Sequence, residues 1–165
     1  MALKVRLATV DDAEPMARVI AAVAKEGLIA TEPPVDLELR AAGFREMVAS
    51  DGPDAAWVLE DEEGRTVGNA GLHQSVPGVV YFGMAVLPEA RGRGGGRALL
   101  EAILAHARAH GAHKVELEVW ADNGRAIALY TSVGFQFEGL RRDHYRRRDG
   151  TLRSAVVMAR LLGRD

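Results

Sequence analysis

The stretch that most constrains this chain is "VVYFGMAVLPEARGRGGGRALLEAILAHARAHG", residues 79–111. Its first nine residues are apolar at nearly every position, the pattern of a central strand covered on both faces. Its last part carries Leu100, Ile103, Leu104 and Ala107 at helical spacing and ends on Gly111, where a C-cap glycine belongs. Between them Gly92, Gly94, Gly95 and Gly96 are interleaved with Arg91, Arg93 and Arg97. A glycine in a helix costs about 1 kcal/mol relative to alanine, so the cluster needs a compensating role. A helix N-terminus offers unpaired N–H groups and partial positive charge, which favour an anion. Bare glycine backbone admits a pyrophosphate at close range, and guanidinium groups neutralise its charge.

Three phosphate-binding patterns compete. A P-loop needs Gly, four residues, then Gly-Lys-Ser/Thr, and that Lys is absent. The dinucleotide pattern G-x-G-x-x-G fails from either start. Gly92 and Gly94 lead to Arg97, and Gly94 and Gly96 lead to Leu99. The acids Glu116 and Glu118 further on do not repair it. What fits is R/Q-x-x-G-x-G/A, read as Arg91-Gly92-Arg93-Gly94-Gly95-Gly96.

The rest of the chain gives the frame. Residues 3–8 alternate as a first strand, and Thr9 reads as an N-cap with Asp11 and Asp12 in the first turn. A first helix follows to about Lys25 on Ala13, Met16, Ala17, Ile20, Val23 and Ala24, and a second spans roughly 35–50. "AAWVLED" and "TVGNAGLHQS" read as hairpin strands joined by "EEGR". After the glycine-led helix, "KVELEVW" alternates strictly, and the crossover sets it parallel to the strand before the glycines. "ADNGRAIALYTSVGF" reads as a short helix stopped at Gly134. Two last strands, about 135–140 and 152–161, flank the loop "RRDHYRRRDG". The order β-α-α-β-β-β-α-β-α-β-β predicts an α+β fold with four helices. Its mixed, mostly antiparallel sheet has about seven strands and one parallel pair.

Bulk properties narrow the function. The 165 residues suit one domain, 1–165. A net charge of −2 argues against a nucleic-acid binder. No apolar run is long enough to span a bilayer, and no signal-peptide core is present, so a cytoplasmic location without membrane contact is expected. With no cysteine there is no thiolate metal site and no cysteine acyl-enzyme. His106 and His110, with His113 nearby, imitate part of a zinc motif but lack its Glu, and no metal is expected. The five arginines of residues 141–148 read as a solvated hairpin loop rather than an RNA surface.

The arginine–glycine pattern, with "LEVWADNGRAIALYTSVGF" after it, resembles the GNAT superfamily of N-acetyltransferases, and the order of elements matches that fold along nearly the whole chain. The resemblance implies acetyl-CoA as co-substrate. It also implies a splay between the fourth and fifth strands that frees backbone groups at Met84, Ala85 and Val86. Gly83 is compatible with a bulge or a close approach there.

Acetyl transfer to an amine requires loss of the amine's proton, donors for an oxyanion, and a proton for the departing thiolate. Without cysteine, direct attack in a ternary complex is the natural route. Asn123 and Tyr130 lie seven apart, about 10 Å along one helix face. By resemblance Asn123 contacts the pantetheine arm and Tyr130 protonates the thiolate. Glu116, Glu118 and Trp120 share one face of the fifth strand. Glu118 stands where peptide-N-terminus acetyltransferases of the family carry a catalytic glutamate. Tyr81 occupies the place where the phosphinothricin-type branch carries its base.

The tail resembles the branch that acetylates free amino acids, with Ser154 where that branch often has Asp. The expected acceptor is therefore a small primary amine, in a pocket built from the two N-terminal helices, with Glu26 and Glu32, and from the Tyr145 loop. The rival readings are a protein N-terminal or lysine acetyltransferase and a non-catalytic acyl-CoA binding module. A homodimer stays open. The family usually places an inward-packing apolar residue at the position of Gly95, so the turn is expected to be mobile until cofactor binds.

Overall fold

In the computed structural model, which describes residues 3–163, alternation turns a seven-stranded sheet into a wall with a core on each side. The elements are β1 (Lys4–Leu7), α1 (Ala13–Ala24), α2 (Leu37–Val48), β2 (Ala55–Glu60), β3 (Thr66–Val76), β4 (Val79–Val86), α3 (Gly95–Ala109), β5 (Lys114–Trp120), α4 (Gly124–Ser132), β6 (Gln136–Arg146) and β7 (Leu152–Leu161). Positions 1, 2, 164 and 165 of the expected domain lie outside the described residues. The strand order is β1-β2-β3-β4-β5-β7-β6, and only β4 and β5 pair in parallel. This is the expected GNAT-like architecture. Among the described residues no helix is long and apolar enough to cross a membrane.

β2 shows how the wall works. Trp57 and Leu59 enter the core beneath α3, while Ala56 and Val58 enter the core beneath α1 and α2. Leu99, Leu100, Ile103, Leu104 and Ala107 of α3 close the first core, joined by Tyr130 of α4. Met16, Ala17, Ala41 and Phe44 close the second.

The entry to α1 is fixed electrostatically. Asp12 accepts the Thr9 N–H (2.7 Å), reaching back as a capping residue does. Arg6 grips the same carboxylate with two bonds (2.7 and 2.8 Å) and also binds Glu60 (2.6 Å). The Arg6 contact pulls the Asp12 carboxyl down from 3.8 to about 2, against the opposing effect of its burial.

The boundary differences are small, since α1 ends at Ala24 with Lys25 as its C-cap and α2 spans Leu37–Val48, both within two residues of the expected bounds. One expectation about elements needs correction, because most of "RRDHYRRRDG" is strand. β6 continues to Arg146, and the turn is confined to the few residues before β7. The register slips between Arg141 and Tyr145, where Asp143 takes a positive φ of 48°. Ser154 pins this bulge by accepting the Asp143 N–H at 2.9 Å.

Candidate functional site

β4 and β5 pair only from Val79–Tyr81 against Lys114–Glu116, although both strands run on. Beyond Tyr81 and Glu116 they separate, and the gap belongs to a cavity of about 930 Å³. The cavity is lined by Met84, Ala85, Val86, Arg91, Gly92, Gly94, Gly95, Gly96, Arg97, Glu118, Asn123 and Tyr130. Of the catalytic and cofactor-binding residues read from the sequence, only Arg93 is not part of this lining, and Glu26 and Glu32, expected in the acceptor pocket, are not part of it either.

Backbone direction sorts the residues of β4. Leu87 donates its N–H to Val67 (2.8 Å), so in the antiparallel ladder Ala85 and Gly83 also face β3. Met84 and Val86 therefore turn their N–H and C=O groups toward the opening. The expected set of three backbone contacts thus reduces to two, because the Ala85 main chain is committed to β3. No bulge occurs at Gly83, which sits in regular register with Gly71.

The arginine–glycine turn follows directly. Gly92 (φ 71°) and Gly94 (φ 83°) adopt conformations that side chains resist, and Gly94 caps α3. The first N–H groups of α3 have no carbonyl behind them and open toward the cavity. Arg91 departs from expectation. It donates to the Val86 carbonyl (2.8 Å) and grips Glu26 with two bonds (2.7 and 2.5 Å). It ties the turn to the end of α1 instead of pointing outward, and it lowers the Glu26 pKa. Arg97 reaches Ser132 of α4 at 2.9 Å. Gly95 is buried, and Leu59 Cδ2 and Leu3 Cδ1 lie 2.5 and 2.9 Å from where its side chain would begin. Leu59 and Leu3 therefore supply the packing that an inward residue would provide, which removes the reason for expecting a loose turn.

On the α3 and α4 side, Tyr130 packs edge-on against Phe82 (5.9 Å) and Phe135 (6.1 Å). Burial pushes its phenol far above 10, so it holds its proton. Asn123 caps α4 by accepting the Ala126 N–H through Oδ1 (3.2 Å), which leaves its side-chain amide as a donor at the cavity. On the opposite face Glu118 accepts a hydrogen bond from the Tyr145 hydroxyl and lies 3.1 Å from Arg141. Burial and the Glu118 contact raise the Tyr145 pKa. His73 also lines this half, its ring 5.2 Å from that of Tyr81.

The Glu118 half of the cavity is roofed by the α1–α2 connection, which arginines from the β6–β7 hairpin hold down. Arg147 donates to Ala30 (2.8 Å), Arg148 to Pro33 (2.7 Å), and the Arg148 N–H to Glu32 (3.0 Å). Arg153 bonds Asp122 (2.7 Å), and its guanidinium sits 4.9 Å from the centroid of the Trp120 ring. The arginine run is therefore a clamp rather than a solvated loop. Glu26 and Glu32, expected in the acceptor pocket, are bound by arginines instead, Glu26 by Arg91 and Glu32 by the Arg148 N–H and the Arg147 guanidinium. His106 bonds the Pro53 carbonyl (3.2 Å) and stacks on His110 (4.0 Å). Among the described residues no group of three His, Asp or Glu could hold a metal.

The sequence reading missed Arg125, which lines the cavity at the start of α4. A cation at a helix N-terminus opposes the helix dipole, and that conflict is the signal that could have flagged it.

Comparison with known proteins agrees with this geometry. Residues 20–135 match the model of the acetyltransferase (GNAT) family. The [ribosomal protein bS18]-alanine N-acetyltransferase of Escherichia coli K12 is 42% identical over 78 residues, 47% of this chain and 52% of the relative. The N-alpha-acetyltransferase RimI of Mycobacterium tuberculosis is 42% identical over 109 residues, 64% of this chain and 66% of the relative. The chain thus spans about half the length of the first of these curated relatives. Among solved structures, a ribosomal-protein-alanine N-acetyltransferase from Brucella melitensis superimposes with a TM-score of 0.86 at 26% identity, covering 96% of this chain and 99% of that one.

Proposed function

Since the chain belongs to the acetyltransferase (GNAT) family, we propose that it acts as one domain, moving the acetyl group of acetyl-CoA to a primary amine by direct attack in a ternary complex. The observation that carries this reading is the opening between β4 and β5. It begins at Tyr81 and Glu116, directly ahead of a glycine-rich helix N-terminus.

Each part of the chemistry then has a candidate group. Gly92, Gly94, Gly95 and Gly96 with the start of α3 receive the pyrophosphate, and Arg93, Arg97 and Arg125 supply positive charge around it. The pantetheine arm lies along Met84 and Val86 and meets the Asn123 amide. The thioester oxygen takes the Met84 N–H, a donor already in place when charge develops there. Glu118 receives the ammonium group and takes its proton through water, while Tyr145 and Arg141 hold the carboxylate in position. The amine nitrogen attacks the carbonyl carbon, the C–N bond forms, and the C–S bond breaks with its electron pair on sulfur. Tyr130 protonates that sulfur. Its burial raises the phenol pKa, so the proton is held on oxygen until a thiolate forms beside it.

For the acceptor, the clamped α1–α2 connection supports a small primary amine such as an amino acid, enclosed beneath the roof. A second reading, the α-amine of a polypeptide N-terminus, is supported by the relatives, which are named for that acceptor. Both share an α-amine beside a carbonyl. A panel of free amino acids and short peptides, each scored by kcat/KM with acetyl-CoA, separates them. Peptides exceeding every free amino acid would reject the small acceptor, and no turnover with either would reject both.

A further inference from the structure

Glycine in the middle of a strand has three physical explanations: a left-handed backbone, a neighbour too close for a side chain, or space kept for a ligand. Two other glycines near the site illustrate the first two. Gly94 has a positive φ, and a Cβ on Gly68 would lie 3.0 Å from the Ala85 carbonyl and 3.1 Å from Leu59.

Gly83 fits neither. It lies in regular register in β4, its φ is not positive, and nothing stands within 4 Å of where a Cβ would be. It is exposed within a central strand because it faces the cavity. Directly across the ladder is Gly71, also on the cavity wall, where a Cβ would meet the Met47 thioether at 3.0 Å. Ile20, Phe44 and Met47 line the same space, so the paired glycines form the floor of an apolar recess under α1 and α2.

The recess adjoins the reacting bond. Met84 presents its N–H to the opening, so a thioester bonded there leaves its acyl carbons on the Glu118 side of the sheet. The nearest cavity-facing positions of β4 on that side are residues 83 and 85, and of the two only Gly83 lacks a side chain. We propose that the open space over Gly83, bordered by Met47 above Gly71, is an acyl subsite, and that the protein transfers straight-chain acyl groups longer than acetyl, propionyl and butyryl included, from their coenzyme A thioesters. This rests on the transferase reading above. The bond changes are the same as for acetyl: C–N forms, C–S breaks, the amine proton leaves, and sulfur gains one.

The test is a chain-length profile. Acetyl-, propionyl- and butyryl-CoA are compared at one fixed amine for the wild type, Gly83→Ala and Gly83→Val. The wild type is expected to use propionyl-CoA within about fivefold of acetyl-CoA in kcat/KM, since a fitting methylene is not penalised. Gly83→Val is expected to lower the propionyl-to-acetyl ratio at least about tenfold, with butyryl affected first in Gly83→Ala. The wild-type profile decides the matter even if Gly83→Val misfolds. Rejection of propionyl-CoA by the wild type overturns the proposal. So does a ratio left unchanged by Gly83→Val while the KM of the amine rises equally with every thioester, since the recess would then hold the acceptor's side chain. Acetyl turnover without propionyl turnover overturns this inference alone, whereas no turnover with any thioester overturns the transferase reading and this one with it.

Discussion

Gly95 is the first residue of α3, and the space its side chain would use is filled by Leu59 from β2 and by Leu3. A methyl group added there meets Leu59 Cδ2 at 2.5 Å, far inside contact distance. Overfilling a packed core typically costs about 1–3 kcal/mol, and alanine's helix preference returns at most about 1 kcal/mol. Gly95→Ala is therefore expected to destabilise the protein by about 1–2 kcal/mol. Leu59 is fully buried, so Leu59→Ala alone should cost about 2–5 kcal/mol as a cavity. Together the two changes partly cancel, because the new methyl enters the space that Leu59 vacates. Urea unfolding of the four proteins, with equal m values, measures the coupling. We expect the double variant to be at least about 1 kcal/mol more stable than the sum of the single effects. Additivity within about 0.5 kcal/mol, or a stabilising Gly95→Ala, would refute the idea that Leu59 stands in for the missing side chain.

Three further predictions concern the site and its support. Tyr130→Phe should lower kcat by about 10²–10⁴ while coenzyme A binding persists, since only the thiolate's proton donor is lost. Because burial pushes this phenol far above 10, the wild type should show no alkaline loss of kcat from Tyr130 across the neutral range, and such a loss that vanishes in Tyr130→Phe would refute the assignment. Glu118→Gln should lower kcat/KM for the amine and shift its dependence to higher pH, while Tyr145→Phe should do so more weakly; an unchanged profile in Glu118→Gln removes it as the base. The Asp12 pKa falls from 3.8 to about 2 on folding. At about 1.4 kcal/mol per tenfold this contributes about 2 kcal/mol. Because the folded pKa is the lower one, the contribution is fully present above about pH 4 and is lost as pH falls through about 2. Asp12→Asn should therefore cost about 2 kcal/mol in urea melts at pH 7, and the gap to wild type should narrow steadily toward pH 2.

The central strands, the crossover and the glycine turn were legible because their local chemistry agrees with the fold. β4 is apolar on both sides, α3 carries one clear stripe, and Gly94 and Gly111 hold the left-handed positions that glycine tolerates. The second half of β6, beyond Leu140, was hidden because almost every residue of this edge strand is exposed, so no alternation marks it. Only pairing with β7 makes it a strand. The site was legible as a set of residues and less so as a set of partners. Nothing local says that Arg91 will reach Glu26, 65 residues away, or that Arg147 and Arg148 will hold residues 30–33. Those contacts depend on which loops the sheet order brings together. Likewise, alternation told which face Glu118 takes, but the division of Met84 and Val86 from Ala85 needed the hydrogen-bond phase of the β3–β4 ladder.

The central claim is that the opening between β4 and β5 is a place for chemistry and not only for binding. It is tested most directly by mixing the protein with acetyl-CoA and primary amines while following free thiol and acylated amine together. The account predicts amine-dependent thiol release, matched mole for mole by N-acetylated product. Tight coenzyme A binding with no amine-dependent thiol would contradict it.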